Sequence, residues 1–169
     1  MPFREPFDAA LRFWPPKPGK QIDVLTVGQI NIEQGSHVLL SLALDARSRG
    51  LPIRYHLVGT SDLAVALSDT LVDVTDLDLA AHDIFDQIER LQPACIFVPS
   101  IWPETHCAAI SVAQALDIPP VVFDIGAQAE RVRSTNYGYI LPYHLADDIM
   151  ALNDRRCSLQ YDAGVYQRA

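Results

Sequence analysis

The sequence predicts a three-layer α/β/α domain built around a mostly parallel sheet of six strands. Short β-rich runs alternate along the chain with helical patterns of about 8–14 residues, which is typical of βαβ units. One run, Ala94–Ser100, is almost wholly apolar, as expected for a central parallel strand that is covered on both faces.

The individual elements follow from local patterns. In the first helix, Ser36 is suited to be the N-cap, an apolar stripe follows, and Gly50 ends the helix. The predicted strands are Ile22–Gly28, Ile53–Gly59, Thr70–Thr75, Ala94–Ser100, Pro120–Gly126 and Gly138–Leu141. The predicted helices are Ser36–Arg49, Asp62–Ser68, Leu79–Leu91, Thr105–Leu116, Ala127–Arg133 and Leu145–Asn153.

The domain organisation is simple. Right-handed crossovers place helices on both faces of the sheet, which gives a doubly wound, Rossmann-like domain. We assign this domain to residues 21–156. Residues 1–20 are rich in proline and aromatic residues and are predicted to be an arm or linker, and residues 157–169 are predicted to be a C-terminal tail.

The charge balance argues against several classes of partner. The chain has 169 residues and a net charge of −8, without a cluster of Lys or Arg. Nucleic acids and anionic membrane surfaces attract basic stripes, so we expect neither as a partner. Residues 1–20 contain acidic residues and no apolar run long enough for a secretory leader, and no run of about 18 apolar residues occurs, so we expect neither a leader nor a membrane span.

Metal and redox chemistry are not indicated. Three widely spaced cysteines indicate neither a disulfide framework nor a zinc site, and a cytoplasmic location is expected. An acidic cluster at Asp73, Asp76, Asp78 and Asp83 is interpreted as a solvated helix start, with a metal site as the alternative. The motifs of serine hydrolases, of NAD-binding loops and of P-loop proteins do not occur.

The carboxyl ends of the strands are the expected place for a ligand in an open α/β sheet. The loops selected by this rule are Gly28–Gly35, Gly59–Asp62, Thr75–Asp78, Ser100–Glu104 and Asp124–Ala127.

One long segment carries a resemblance to a known family. Residues 97–133 read FVPSIWPETHCAAISVAQALDIPPVVFDIGAQAERVR, which is a strand, Pro-Ser, a Glu, a helix, another strand and a Gly-containing loop ending in Glu. The stretches VGQINIEQGSHVLL and YGYILP fit the same arrangement. Residues 22–153 thus resemble the donor-binding, C-terminal half of group 1 (GT4-type) retaining glycosyltransferases, which have the two-domain GT-B fold.

This resemblance implies a function of hexosyltransferase type. A sugar would pass from a nucleotide diphosphate sugar to an acceptor with retention, without a metal or other cofactor. Glu104 is implied to be catalytic and to hold the donor sugar. The other residues implied to bind the donor and its diphosphate are Gly28, Gln29, Gln34, Gly35, Thr105, His106, Cys107, Gly126 and Ala127. The acceptor-binding domain is missing, so the chain alone is expected to be an incomplete catalytic unit.

The chemistry of such a site has a physical basis. The helix predicted to begin near Thr105 would point its first amides at the crevice, where free N–H groups and the helix dipole favour a phosphate. Glu104 can accept hydrogen bonds from sugar hydroxyls, and the loop at Gly126–Ala127 allows close approach of the backbone.

One position of the predicted helix differs from the family pattern. Val112 stands eight residues after Glu104, where the family has a second Glu that holds the ribose. Either Val112 simply packs in the core, or the neighbouring Ser111 or Gln114 takes over the contact with the ribose.

Further differences concern charge. Gln29 and Gln34 occupy positions where the family presents basic residues, and the only lysines of the chain lie within residues 1–20. Glu130 and Arg133 are additional candidates for the site, although an exposed arginine on a short helix is more often solvated. The alternative function is therefore a degenerate domain with a structural or protein-interaction role. A nucleotide-sugar epimerase, which shares the two-domain architecture, is a third hypothesis.

Overall fold

A sheet of six parallel strands forms the centre of the protein. The structure is a computed structural model that describes residues 21–69, 73–75 and 81–158. The strand order is β3-β2-β1-β4-β5-β6, which confirms the predicted fold class. The strands are β1 (Ile22–Ile30), β2 (Ile53–Ser61), β3 (Asp73–Thr75), β4 (Cys95–Val98), β5 (Pro120–Phe123) and β6 (Tyr139–Leu141).

Helices connect the strands in the predicted order. They are α1 (Ser36–Arg49), α2 (Ala64–Asp69), α3 (Ala81–Leu91), α4 (Ala108–Leu116), α5 (Gly126–Thr135) and α6 (Ile149–Ser158), with a 3₁₀ helix at Tyr143–Asp147. Within the described ranges, no helix is long and apolar enough to cross a membrane. The predicted arm, residues 1–20, lies outside the described residues, as do part of the predicted third strand and residues 159–169.

The helices cover both faces of the sheet and complete three layers. On one face, α1 and α6 pack against the strands through side chains such as Leu39, Leu42 and Leu152. On the other face, α3 and α4 bury Ile88 and Ala113, and α5 completes that layer. Alternate residues of β1, β2, β4 and β5 enter the cores on the two faces, so these apolar strands are buried on both sides, as parallel strands are.

The N-cap of α1 and the first residue of α4 differ from the prediction. Gly35, not Ser36, is the N-cap of α1, in a left-handed conformation with φ 79°. A Cβ on Gly35 would lie 2.0 Å from the carbonyl oxygen of Pro99, so glycine is required there. The next helix, α4, begins at Ala108 rather than Thr105, because the carbonyl of Glu104 accepts a hydrogen bond from the Ala127 amide instead of from Ala108.

The C-terminal region also differs from the prediction. The helix expected over Leu145–Asn153 is divided into the 3₁₀ helix and α6, and α6 continues to Ser158. The sequence boundary placed after residue 156 therefore falls inside a helix. The carboxylate of Asp148 accepts a hydrogen bond from the Ala151 amide at 3.0 Å, which explains why α6 begins here.

A buried polar network holds α6 against the rest of the domain. The Asn153 amide donates to the carbonyl of Leu42 (3.0 Å) and to the Asp45 carboxylate (2.8 Å), and its oxygen accepts from the Tyr55 hydroxyl (2.5 Å). Arg49 adds a bidentate contact to Asp45, which lowers the pKa of that carboxyl group. The network links α6 to both α1 and β2.

Replacing Asn153 tests the importance of this network. We expect Asn153→Ala to lower the free energy of unfolding by about 2–4 kcal/mol, because buried polar groups lose hydrogen bonds without gaining water. Asp154→Ala, at an exposed neighbour, is the control and is expected to have a much smaller effect. Urea denaturation measures the free energy of unfolding of both variants. Equal losses in the two would contradict the claim that the Asn153 network holds α6 in place.

Candidate functional site

The crevice of an open α/β sheet forms where the strand order reverses, and here that point lies between β1 and β4. The loops that leave the carboxyl ends of these strands, residues 31–35 and 99–107, thus flank the expected site. The loop after β5 and the start of α5 lie beside them.

The loop after β1 is closed by its own side chains. The Asn31 side-chain oxygen accepts from the amides of Glu33 (2.9 Å) and Gln34 (3.2 Å), and the Gln34 side-chain oxygen accepts from the Asn31 amide (3.2 Å). The oxygen of Gln34 therefore supports the loop. No side chain caps α1, and the hydroxyl of Ser36 is buried without a hydrogen-bond partner among the described residues.

The two loops at the switch point are fastened to each other. The Ile101 amide donates to the carbonyl of Glu33 at 3.1 Å, and the Ser100 hydroxyl lies 3.4 Å from the same oxygen. The close contact between Gly35 and Pro99 lies in the same region. The loop after β1 and the loop after β4 thus form one unit.

A buried glutamine, Gln128, holds the loop after β4 from the other side. Its amide nitrogen donates to the carbonyl of Trp102 (3.0 Å), and its oxygen accepts from the Glu104 amide (3.2 Å). The Ala127 amide donates to the carbonyl of Glu104 at 2.9 Å. The backbone of Glu104 is therefore fixed on both sides, while its side chain is half-buried. The sequence analysis missed Gln128, although a glutamine beside the buried positions 129 and 132 of α5 is an available signal.

The residues predicted to start α4 are distributed differently from the expectation. Thr105 and His106 are exposed and precede the helix, so their amides are not in its first turn. Cys107 is the N-cap residue and its thiol is buried. Burial, with a further contribution from the charge of Glu104, raises the pKa of the Cys107 thiol to about 12, so the group stays a neutral thiol at physiological pH.

Val112 is partly buried and packs against the core, which agrees with its interpretation as a packing residue. It lies against the cluster that contains Leu25 and Ile96. Arg131 on α5, which the sequence analysis did not single out, occupies the neighbouring surface of α4. Its guanidinium donates to Ser111 Oγ (3.1 Å), to Gln114 Oε1 (2.8 Å) and to the carbonyl of Cys107 (3.1 Å). The two polar candidates for the ribose contact therefore bind an arginine of the protein itself.

The remaining candidates lie at the margin of the site. Arg133 is exposed and forms an ion pair with Asp124, directly after β5, and Glu130 is exposed on α5. Gln29 is exposed at the end of β1, next to Gly28, whose φ is 111°. In the part of the chain that the structure describes, no group of three or more His, Cys, Asp or Glu side chains is arranged to hold a metal ion.

Solved structures share this fold, although no protein-family model and no curated protein sequence matches the chain. The apo form of the lipopolysaccharide outer core galactosyltransferase WaaB matches with a TM-score of 0.63 and 17% identity, over 92% of this chain and 44% of that one. The C-terminal domain of a group 1 family glycosyl transferase (LpcC) from Francisella tularensis matches with a TM-score of 0.61 and 13% identity, over 93% and 92%.

TarM is a third similar structure, with a TM-score of 0.56 and 15% identity over 89% of this chain. The chain spans 32% of the length of TarM and 44% of that of WaaB, but nearly the whole isolated LpcC domain. At these identities the likeness concerns the fold, which is that of one Rossmann-like half of a GT-B glycosyltransferase.

A pair of glycine substitutions tests whether the contact between α5 and the loop after β4 shapes the site. Gly126 and Gly50 have φ values of 62° and 61°. A Cβ at Gly126 would lie 2.6 Å from Pro103 Cα and 2.8 Å from the Glu104 nitrogen, whereas one at Gly50 meets nothing within 4 Å. We expect Gly50→Ala to cost about 1 kcal/mol of backbone strain, and Gly126→Ala about 1–3 kcal/mol more.

Denaturation curves give the loss in free energy of unfolding for each of the two glycine variants. Amide NMR shifts report whether the loop that contains Glu104 moves. Gly126→Ala is expected to displace the Glu104 and Trp102 amide signals, and Gly50→Ala is expected to leave them in place. Equal stability and unchanged spectra for the two variants would show that α5 does not position this loop.

Proposed function

We propose that this chain is the donor-binding domain of a retaining GT-B glycosyltransferase that uses a nucleotide diphosphate sugar. The placement of Glu104 is the observation that best supports the proposal. Its side chain is partly exposed at the carboxyl edge of the sheet, and its backbone is held by Gln128 and Ala127. A carboxylate carried on a backbone that is held before the ligand arrives is suited to accept hydrogen bonds from sugar hydroxyls.

In this proposal, the diphosphate lies between the start of α1 and residues Thr105 and His106. The dipole of α1 favours a negative charge at its first turn, which has no side-chain cap. Gly126 and Ala127 form the opposing wall, where the backbone approaches Glu104 closely. Backbone amides and these polar groups, rather than a metal, stabilise the departing diphosphate.

The proposed enzyme needs a second domain. The acceptor would bind in a cleft between the two halves of the GT-B fold, and this chain provides one half. We therefore expect no sugar transfer by the 169-residue chain alone.

A degenerate, non-enzymatic domain is the second candidate function, and the charges of the site favour it. Val112, which packs against the core, stands where the family pattern has the Glu that holds the ribose. The neutral Gln29 and Gln34 stand where that pattern has basic residues. Two lost charged donors and a lost carboxylate weaken nucleotide-sugar binding by several kcal/mol, on the order of a thousandfold. Such a domain would keep the fold and serve as an interaction module.

Calorimetric titration with UDP, GDP and their sugars tests the donor-binding function. We expect at least one nucleotide sugar to bind with a millimolar or tighter Kd, and Glu104→Ala to weaken that binding at least tenfold, because the sugar loses a charge-assisted acceptor. Glu89→Ala, at an exposed carboxylate on α3, is the matched control and is expected to leave the Kd unchanged.

The two candidate functions give different results in this titration. No heat of binding with any nucleotide sugar would contradict donor binding and favour the interaction module. Equal weakening by Glu104→Ala and Glu89→Ala would refute the assigned role of Glu104. Turnover of a nucleotide sugar by the chain alone would contradict the need for a second domain.

A further inference from the structure

Three large apolar side chains are exposed on neighbouring loops at the carboxyl edge of the sheet. They are Ile32, Trp102 and Tyr143, with exposed fractions of 63%, 59% and 43%, and we call them the edge patch. All three belong to loops that meet at residues 100–101. The carbonyl of Glu33, next to Ile32, accepts from the Ile101 amide, and the Tyr143 hydroxyl donates to the carbonyl of Ile101 at 3.0 Å.

The edge patch is held in place by buried groups. The carbonyl of Trp102 accepts hydrogen bonds from the Ser100 hydroxyl (3.1 Å) and the Gln128 amide (3.0 Å), and these two side chains are 1% and 0% exposed. The ring of Tyr143 packs edge-on against the buried Phe123, with 6.4 Å between the ring centroids. An exposed indole on a backbone fixed in this way is preorganised for a flat, partly apolar ligand.

The charges around the edge patch do not favour an anionic ligand. Residues 31–35, 99–107 and 124–125 contain Glu33, Glu104 and Asp124 but no lysine or arginine. Two arginines lie nearby, but Arg131 donates hydrogen bonds to α4 and its N-cap, and Arg133 forms an ion pair with Asp124. Two like charges about 4 Å apart repel by about 1 kcal/mol in water and by about 4 kcal/mol near a protein surface. A diphosphate therefore gains little from the side chains of these three loops.

We propose that the edge patch binds the uncharged ring of a saccharide, and that this ring, not the nucleotide, provides most of the affinity of the chain. The inference rests on the donor-binding function proposed above. A pyranose has an apolar C–H face that stacks on an aromatic ring such as that of Trp102, and hydroxyl edges that donate to a carboxylate such as that of Glu104. The two residues lie two positions apart in one loop, and Gln128 holds the backbone of both.

NMR titration of the 169-residue chain tests this inference with four kinds of probe. They are the methyl glycosides of glucose, galactose and mannose, the corresponding nucleotide sugars, UDP and GDP. We expect at least one methyl glycoside to bind saturably and to shift the Trp102 indole signal. We expect the matching nucleotide sugar to bind less than tenfold more tightly, and the free nucleotides to give no saturable shift.

Variants of the edge patch test whether the sugar stacks on the ring of Trp102 or whether any loss of an exposed apolar side chain weakens binding. Trp102→Ala is expected to weaken glycoside binding at least tenfold, whereas Trp102→Phe retains part of it because an aromatic face remains. Val65→Ala, at an apolar side chain that is 78% exposed elsewhere, is the matched control and is expected to bind as the original chain does. Thermal unfolding confirms that each variant is folded, as expected for exposed positions.

The outcomes distinguish this inference from the donor-binding function. If nucleotides and nucleotide sugars bind tightly and the methyl glycosides cause no saturable shift, the inference is overturned and the donor-binding function stays intact. If no probe causes a saturable shift, both this inference and the donor-binding function are overturned, and a protein partner at the edge patch is favoured. Glycoside binding that survives Trp102→Ala would also overturn the inference, because the sugar would then bind elsewhere.

Discussion

The geometry of the candidate site depends on one buried side chain. Gln128 uses both ends of its amide to hold the loop after β4 at two points, the carbonyl of Trp102 and the amide of Glu104. A buried amide is costly unless its hydrogen bonds are made, so the same contacts that satisfy Gln128 fix the loop. Because Gly126 allows α5 to approach this closely, the helix and the loop form a single structural unit.

This constraint relates the fold to the site. The reversal of strand order between β1 and β4 opens a crevice, and the contacts at Glu33, Gly35 and Ser100 join the loops on its two sides. The exposed side chain of Trp102 and the half-buried side chain of Glu104 are therefore carried by a rigid edge. Preorganisation of this kind reduces the entropic cost of binding, which matters more here because residues 31–35, 99–107 and 124–125 contain no lysine or arginine.

The sequence predicted the fold more accurately than the site. Alternating strand and helix patterns depend on local periodicity, and they located all six strands and the full extent of α1. The start of α4 was wrong because the carbonyl of Glu104 bonds to α5, a long-range contact that periodicity does not reveal. Gln128 and Arg131 were missed for the same reason, since their partners are 17–26 residues away in the chain. The interpretation of Val112 as a core residue needed only its spacing from other apolar positions of the helix.

Amide hydrogen exchange in Gln128→Met tests the central claim most directly, because methionine keeps the length of the side chain and removes its hydrogen bonds. The account predicts that the Glu104 amide is protected in the original chain and exchanges at least tenfold faster in the variant. The Ile101 amide, which bonds to Glu33 instead, should keep its protection in both. Unchanged exchange at Glu104, or an equal loss of protection at both amides, would contradict the claim that Gln128 positions the site.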